Sequence, residues 1–170
     1  MGKILETIVK ERLVYHLEKN NYFAPEQSGF RKNRQAMDNV VRLENDIINA
    51  KKKGKGVAAA FLDLEKAFDI MWRGGVLLEI DKIGISGQMF NYISDFLKDR
   101  TFQVKIGNSI SDSRTQINGT PQGAVLSPIL FNIAVNDVNK VAYRHGAEIG
   151  QHADDTAIWI KRGFTKKNEK

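Results

Sequence analysis

The 170-residue chain has no cysteine. That excludes disulfides and thiolate metal sites, and it fits a reducing compartment. No apolar run is long enough to span a bilayer. The opening MGKILETIVKERLVYHL mixes charges through its apolar positions, so it is not read as a signal peptide. There is no internal repeat and no low-complexity linker. A Walker-type glycine loop and a dinucleotide fingerprint are also missing, which leaves ATPase and dehydrogenase readings without support.

What is present is a foldable chain of basic balance. Hydrophobic residues make up 42% of it, enough for a core and unlike a disordered chain. Its length suits one domain, or one domain with a small companion. The net charge of +6 and pI near 9.5 favour polyanionic partners such as nucleic acid or an anionic membrane, with general solubility as the plain alternative. The basic residues gather in runs: Arg31, Lys32 and Arg34; Lys51, Lys52, Lys53 and Lys55; and Lys161, Arg162, Lys166, Lys167 and Lys170.

The spacing of Ile4, Leu5, Ile8, Leu13 and Leu17 predicts a helix over 3–19, ended by Asn20 and Asn21. Residues 23–34 read as a loop. A second helix is expected over about 35–52, with Val40, Val41, Leu43, Ile47 and Ile48 as its apolar face and Gly54 and Gly56 beyond its end. VAAAFLDL then reads as a strand buried on both faces and closing on Asp63. Helices follow at about 73–83 and 87–97. Thr101–Ile106 alternates like a strand, turns at Gly107-Asn108 and returns through 114–117. A loop over 118–123 opens a helix of about 125–143. Short strands at 147–151 and 156–160 flank Ala153, Asp154 and Asp155, giving a hairpin with two carboxylates at its tip. The order suggests an α+β fold, with helices packed on a mainly antiparallel sheet.

Asp63 emerges at a strand end, and Asp154 and Asp155 at a hairpin tip. If those strands are neighbours, three carboxylates converge and repel unless a cation joins them. Paired Mg²⁺ ions roughly 3.5–4 Å apart serve polymerases and nucleases in this way. Mg²⁺ takes few carboxylates and completes its shell with water and phosphate. An acidic pair alone more often makes only a turn, so the neighbouring motifs decide.

Those motifs are QSGFRKNR (27–34), FLDLEKAFD (61–69), GTPQGAVLSPILFN (119–132) and HADDTA (152–157). In this order they resemble the reverse transcriptases of non-LTR, LINE-type retrotransposons, particularly the jockey-like ones, over nearly the whole chain. The resemblance implies a right-hand polymerase fold. Residues 1–55 would supply a helical fingers portion and 56–170 a palm portion. It implies RNA-directed DNA synthesis: a primer 3′-hydroxyl attacks a dNTP with two Mg²⁺ ions, Mn²⁺ being a substitute. An RNA template, a DNA primer and dNTPs are the implied partners. The resemblance further implies no membrane and an intracellular location, nucleus or cytoplasm, and leaves the oligomeric state open.

Residue by residue, Asp63, Asp154 and Asp155 match the catalytic metal ligands. The backbone from Leu64 to Ala67 matches the segment against the incoming triphosphate. Phe68 matches the aromatic gate beneath the sugar; without the motif it would read as a core aromatic. Gln122 and Gly123 match the loop bordering the nascent base pair. Arg31 and Arg34 fall where basic side chains neutralise the triphosphate. His152 stands where the family has Tyr or Phe, near the primer end. Thr120 and Ala124 replace the commoner Val and Ser. The chain ends soon after the acidic pair, so the resemblance implies a fingers and palm fragment with the thumb absent. The alternative is a catalytically inactive, truncated nucleic-acid-binding remnant. A nuclease or nucleotide cyclase on a similar sheet is disfavoured by the Gly119–Gly123 loop.

Overall fold

The computed structural model describes Gly2–Gly163. Lys166, Lys167 and Lys170 of the C-terminal basic run lie outside the described residues. In chain order the elements are α1 (Gly2–Lys19), α2 (Ala36–Lys52), β1 (Lys55–Leu62), α3 (Ala67–Ile70), α4 (Arg73–Lys82), α5 (Gly87–Leu97), β2 (Thr101–Phe102), β3 (Lys105–Ile106), β4 (Ser109–Ile110), β5 (Arg114–Thr115), α6 (Ser127–Val135), α7 (Val138–Arg144), β6 (Glu148–His152) and β7 (Asp155–Gly163). The expected mixture of helices and antiparallel sheet is what forms. Among the described residues no helix is long and apolar enough to cross a membrane.

The chain divides into two compact units. The first holds Met1–His16 and Lys66–Ala134. Its buried apolar residues include Leu13, Val76, Ile80, Ile93, Leu97 and Leu130. The expected strand over 101–106 is broken in two here. Val104 N donates to Ser111 Oγ, and Ser111 N to Val104 O, so a side chain interrupts the ladder between the short pairs β2–β5 and β3–β4. The Arg73 guanidinium donates to the carbonyls of Gly119 (2.7 Å), Gln116 (2.7 Å) and Asn118 (3.1 Å). It thereby satisfies three loop acceptors with one planar group. Gly119 N donates to Met71 O and Thr120 N to Phe68 O, which ties this loop to α3 and the residue after it.

The second unit holds Leu17–Glu65 and Val135–Lys170. Its sheet has the order β1-β7-β6, antiparallel throughout. Ala142 of α7 clusters with Ala147 and Ile149 on one face of the hairpin, with Ile158 and Ile160 packed beside them. The other face meets α2 through residues that sequence periodicity did not select. Trp159 Nε1 donates to Asp46 (2.7 Å), Lys161 pairs with Asp46 (3.0 Å), and Arg42 lies over the Trp159 ring. Val40, Val41 and Ile48, assigned to the buried stripe, are exposed. The helix is rotated because its polar Asn39, Arg42 and Asp46 find partners on the sheet.

Two further expectations are corrected. β1 is exposed over most of its length. Its apolar composition suggested double burial, but it is the edge of a three-stranded sheet, paired only with β7 among the described residues. The long helix of 125–143 is broken between α6 and α7. Asn136 there turns its amide to the loop after α1: Oδ1 accepts from Ala24 N (3.0 Å) and Nδ2 donates to Tyr22 O (2.9 Å). Those bonds satisfy buried backbone groups at the expense of helical continuity.

Candidate functional site

The register of the sheet places the carboxylates. β1 and β7 pair from Lys55 opposite Gly163 to Leu62 opposite Thr156, and β6 and β7 pair out to His152 opposite Asp155. One step beyond Leu62 is Asp63, and one step before Thr156 is Asp155. The strand bearing Asp63 and the hairpin bearing Asp155 are therefore sheet neighbours, as expected. Asp63, Asp155 and His152 line one concavity of about 320 Å³, with Phe61, Gly150 and Ala157. Side chains two apart along a strand share a face, which accounts for these six; Leu62 and Thr156, of the opposite parity, border the cleft as well. Gly150 and Ala157 pair across the hairpin and keep the floor low. Asn39 closes the cleft from α2: a Cβ on Gly150 would fall 2.9 Å from the Asn39 Cβ.

The expected convergence of three carboxylates is not what forms. Among the described residues no three acidic or imidazole groups stand close enough together to hold an ion. Asp154 occupies the turn outside the ladder, where the strand pleat does not govern its side chain, and it is not part of the cleft lining. Asp63 and Asp155 remain as an exposed pair in one cleft, and no ion pair within the described residues neutralises either. This donor set fits Mg²⁺, which is typically held by one or two carboxylates plus phosphate and water.

The hairpin is fastened to the loop before α2. Gln151 O accepts from Ser28 N (2.8 Å), Ser28 Oγ (2.9 Å) and Asn39 Nδ2 (2.8 Å). Gln151 N donates in turn to Glu26 O. His152 Nδ1 lies 3.1 Å from Ser28 Oγ, so its ring is tethered although the residue is exposed. Ser28 and Asn39 were not singled out from sequence. A polar residue beside the apolar stripe of α2 was the available signal for Asn39.

The two arginines of the 27–34 motif differ sharply. Arg31 forms a two-bond pair with Glu18 (2.8 and 2.7 Å), also donates to Ala24 O and Gln27 O, and lies over the Phe23 ring. Its side chain is 7% exposed. The hydrogen bonds from Arg31 hold the Glu18 carboxyl below the usual carboxylate range, against the opposing effect of burial. Arg34 is exposed.

Of the remaining motif residues, Ala67, Phe68, Gln122 and Gly123 lie in the first unit and Leu64 in the second. Ala67 is buried; Phe68 is half-buried, its ring 4.8 Å from that of Phe131. Gln122 Nε2 donates to Asp69 Oδ1 (3.3 Å). Gly123 has φ +76°, a left-handed conformation suited to glycine. Leu64 follows Asp63 and is exposed.

Comparison with known proteins agrees with these motifs. The family model for reverse transcriptase (RNA-dependent DNA polymerase) matches residues 1–166. The RNA-directed DNA polymerase from mobile element jockey of Drosophila funebris is 31% identical over 166 residues, 95% of this chain and 18% of that protein. Its Drosophila melanogaster counterpart is 29% identical over 167 residues, with the same two coverages. The chain thus spans about a fifth of the length of these relatives. Among solved structures, telomerase from Candida tropicalis superposes with TM-score 0.66 at 15% identity, over 91% of this chain and 33% of that one. Telomerase from Candida albicans gives 0.68 at 11% identity, over 89% and 30%. At such identities these two likenesses speak to the fold.

Proposed function

This chain belongs to the reverse transcriptase (RNA-dependent DNA polymerase) family, and from that premise we propose that it carries the catalytic cleft of a non-LTR retrotransposon RNA-directed DNA polymerase. The observation that carries the reading is the cleft shared by Asp63 and Asp155 at neighbouring strand ends. Asp63 and Asp155, with Asp154 at the adjoining turn, would hold divalent ions, Mg²⁺ first and Mn²⁺ as a substitute. Such ions, when bound, acidify the primer 3′-hydroxyl and neutralise the leaving phosphates.

The chain's own residues supply position. The small Ala157 leaves room beside the carboxylates, while Gly150 admits Asn39 of α2 against the sheet. Tethered to Ser28, the His152 imidazole takes the primer-side place usually held by an aromatic ring. Arg34 is the exposed guanidinium available to the triphosphate, whereas Arg31 holds the loop that carries it. The motif matches give the Leu64–Ala67 backbone, Gln122 and Gly123 roles in dNTP binding, and Phe68 a role in excluding the ribose 2′-hydroxyl. By role, 1–55 is assigned to the fingers and 56–170 to the palm. RNA template and DNA primer would be held mainly through their phosphates, so binding weakens with salt.

The test is an exchange. The 166 matched residues replace the corresponding segment of a jockey polymerase, and primer extension is measured on an RNA template. Mg²⁺-dependent DNA synthesis that Asp155→Asn abolishes supports the reading. A folded exchange protein that binds primer–template without extending it refutes it and fits the non-catalytic alternative.

A further inference from the structure

One buried side chain grips the turn that carries Asp154 and Asp155. Ala153 has φ +58°, a left-handed conformation that its Cβ disfavours. Gln27, 1% exposed, spans both peptide groups of this residue. Its Oε1 accepts from Ala153 N at 3.0 Å, and its Nε2 donates to Ala153 O at 3.4 Å. The same Oε1 accepts from Gly29 N at 2.8 Å, which uses both of its lone pairs. Gly29 presses against the turn as well: a Cβ there would fall 2.2 Å from Ala153 N.

We propose that Gln27 is a positioning residue for the metal cleft. Its amide fixes the peptide groups on both sides of Ala153 and so aims the two aspartates that follow. A strained turn residue persists only where its surroundings over-determine it, and two hydrogen bonds between Ala153 and the Gln27 amide, itself held by a third from Gly29 N, do so here. Gln27 does not line the cleft, so it acts through the backbone. The inference rests on the metal-cleft reading above.

Mn²⁺ titration of the full chain, followed by electron paramagnetic resonance, tests it, with circular dichroism reporting the fold. Gln27→Met keeps the volume and loses all three bonds. It is expected to weaken Mn²⁺ binding by about tenfold, the lower range for lost supporting bonds around a metal site. Gln27→Glu keeps the acceptor for both N–H groups and should retain most of the affinity. Ile149→Val, in the core of β6, should lower thermal stability without changing Mn²⁺ affinity. Where Gln27→Met does not fold, Gln27→Asn replaces it, being too short to reach both peptide groups. Wild-type affinity in a folded Gln27→Met or Gln27→Asn overturns the positioning role, as does an equal loss in Ile149→Val. Binding that survives Asp155→Asn instead overturns the cleft reading beneath it.

Discussion

Leu62 of β1 lies opposite Thr156 of β7, and the next residue outward on each side is an aspartate: Asp63 just past the end of β1 and Asp155 at the start of β7. Strand register alone therefore brings two carboxylates from distant parts of the chain to one cleft. A shift of one residue in either strand would turn one of them to the other face.

Divalent ions should stabilise the folded chain through this pair. A ligand that binds only the folded state adds about 2.7 kcal/mol at one hundred times its dissociation constant. Thermal melts with and without Mg²⁺ should show the gain in wild type and its loss in Asp63→Asn and Asp155→Asn. Without metal, either substitution removes like-charge repulsion and should leave the melting temperature equal or higher. An undiminished Mg²⁺ effect in both variants would place the ion elsewhere.

The Glu18–Arg31 pair gives a pH dependence whose sign is fixed. The folded-state pKa of Glu18 is lowered, chiefly by its hydrogen bonds from Arg31. Its stabilisation is therefore fully present above the ordinary value of 4.5 and is lost as pH falls through the lowered value. Glu18 is partly exposed, which discounts the gain, so Glu18→Gln should destabilise by about 1 kcal/mol at neutral pH. In denaturant titrations the gap from wild type should close below the Glu18 pKa. A gap that widens on acidification contradicts this account.

Thr120 is 1% exposed, and its hydroxyl oxygen has no hydrogen-bond partner. Burying an unpaired hydroxyl costs about 1–3 kcal/mol. Thr120→Val preserves the shape and should raise the melting temperature by about 3 °C for a chain of this size. A lower melting temperature would show that the hydroxyl has a partner after all.

Two glycines at positive φ should respond differently to alanine. At Gly119 (φ +83°) a Cβ would fall 2.5 Å from Asp69 O, whereas at Gly107 (φ +58°) nothing lies within 4 Å. Gly107→Ala should destabilise by about 1 kcal/mol from backbone strain alone. Gly119→Ala adds a clash with backbone and should exceed about 3 kcal/mol. Equal effects would mean that the loop moves aside freely.

Much of the fold was legible because helix periodicity and glycine punctuation are local signals. The helices at 2–19, 73–82 and 87–97, and the hairpin around Ala153, follow from them. Non-local effects escaped. The exposure of β1 depends on its being a sheet edge, the break at Asn136 on a loop far back in the chain, and the face of α2 on Trp159 and Asp46. In the cleft, Asp63 and Asp155 were recognisable by motif, and Asp154 with them, although its turn position keeps it from the cleft lining. The supporting roles were not: Gln27 and Ser28 fall inside the 27–34 motif and Asn39 outside every motif, and all three act through hydrogen bonds to residues more than one hundred positions away. Arg31 carried a motif match, yet its guanidinium is already held by Glu18 and two carbonyls.

The metal cleft itself can be mapped by cleavage. Fe²⁺ substituted for Mg²⁺ in the purified chain, with ascorbate and peroxide, generates hydroxyl radicals that cut the backbone beside the bound ion, and mass spectrometry locates the cuts. The account predicts cuts clustered near Asp63 and near Asp154–Asp155, suppressed by excess Mg²⁺ and lost in Asp155→Asn. Cuts confined to other segments, or cuts at these two that persist in Asp155→Asn, would contradict it.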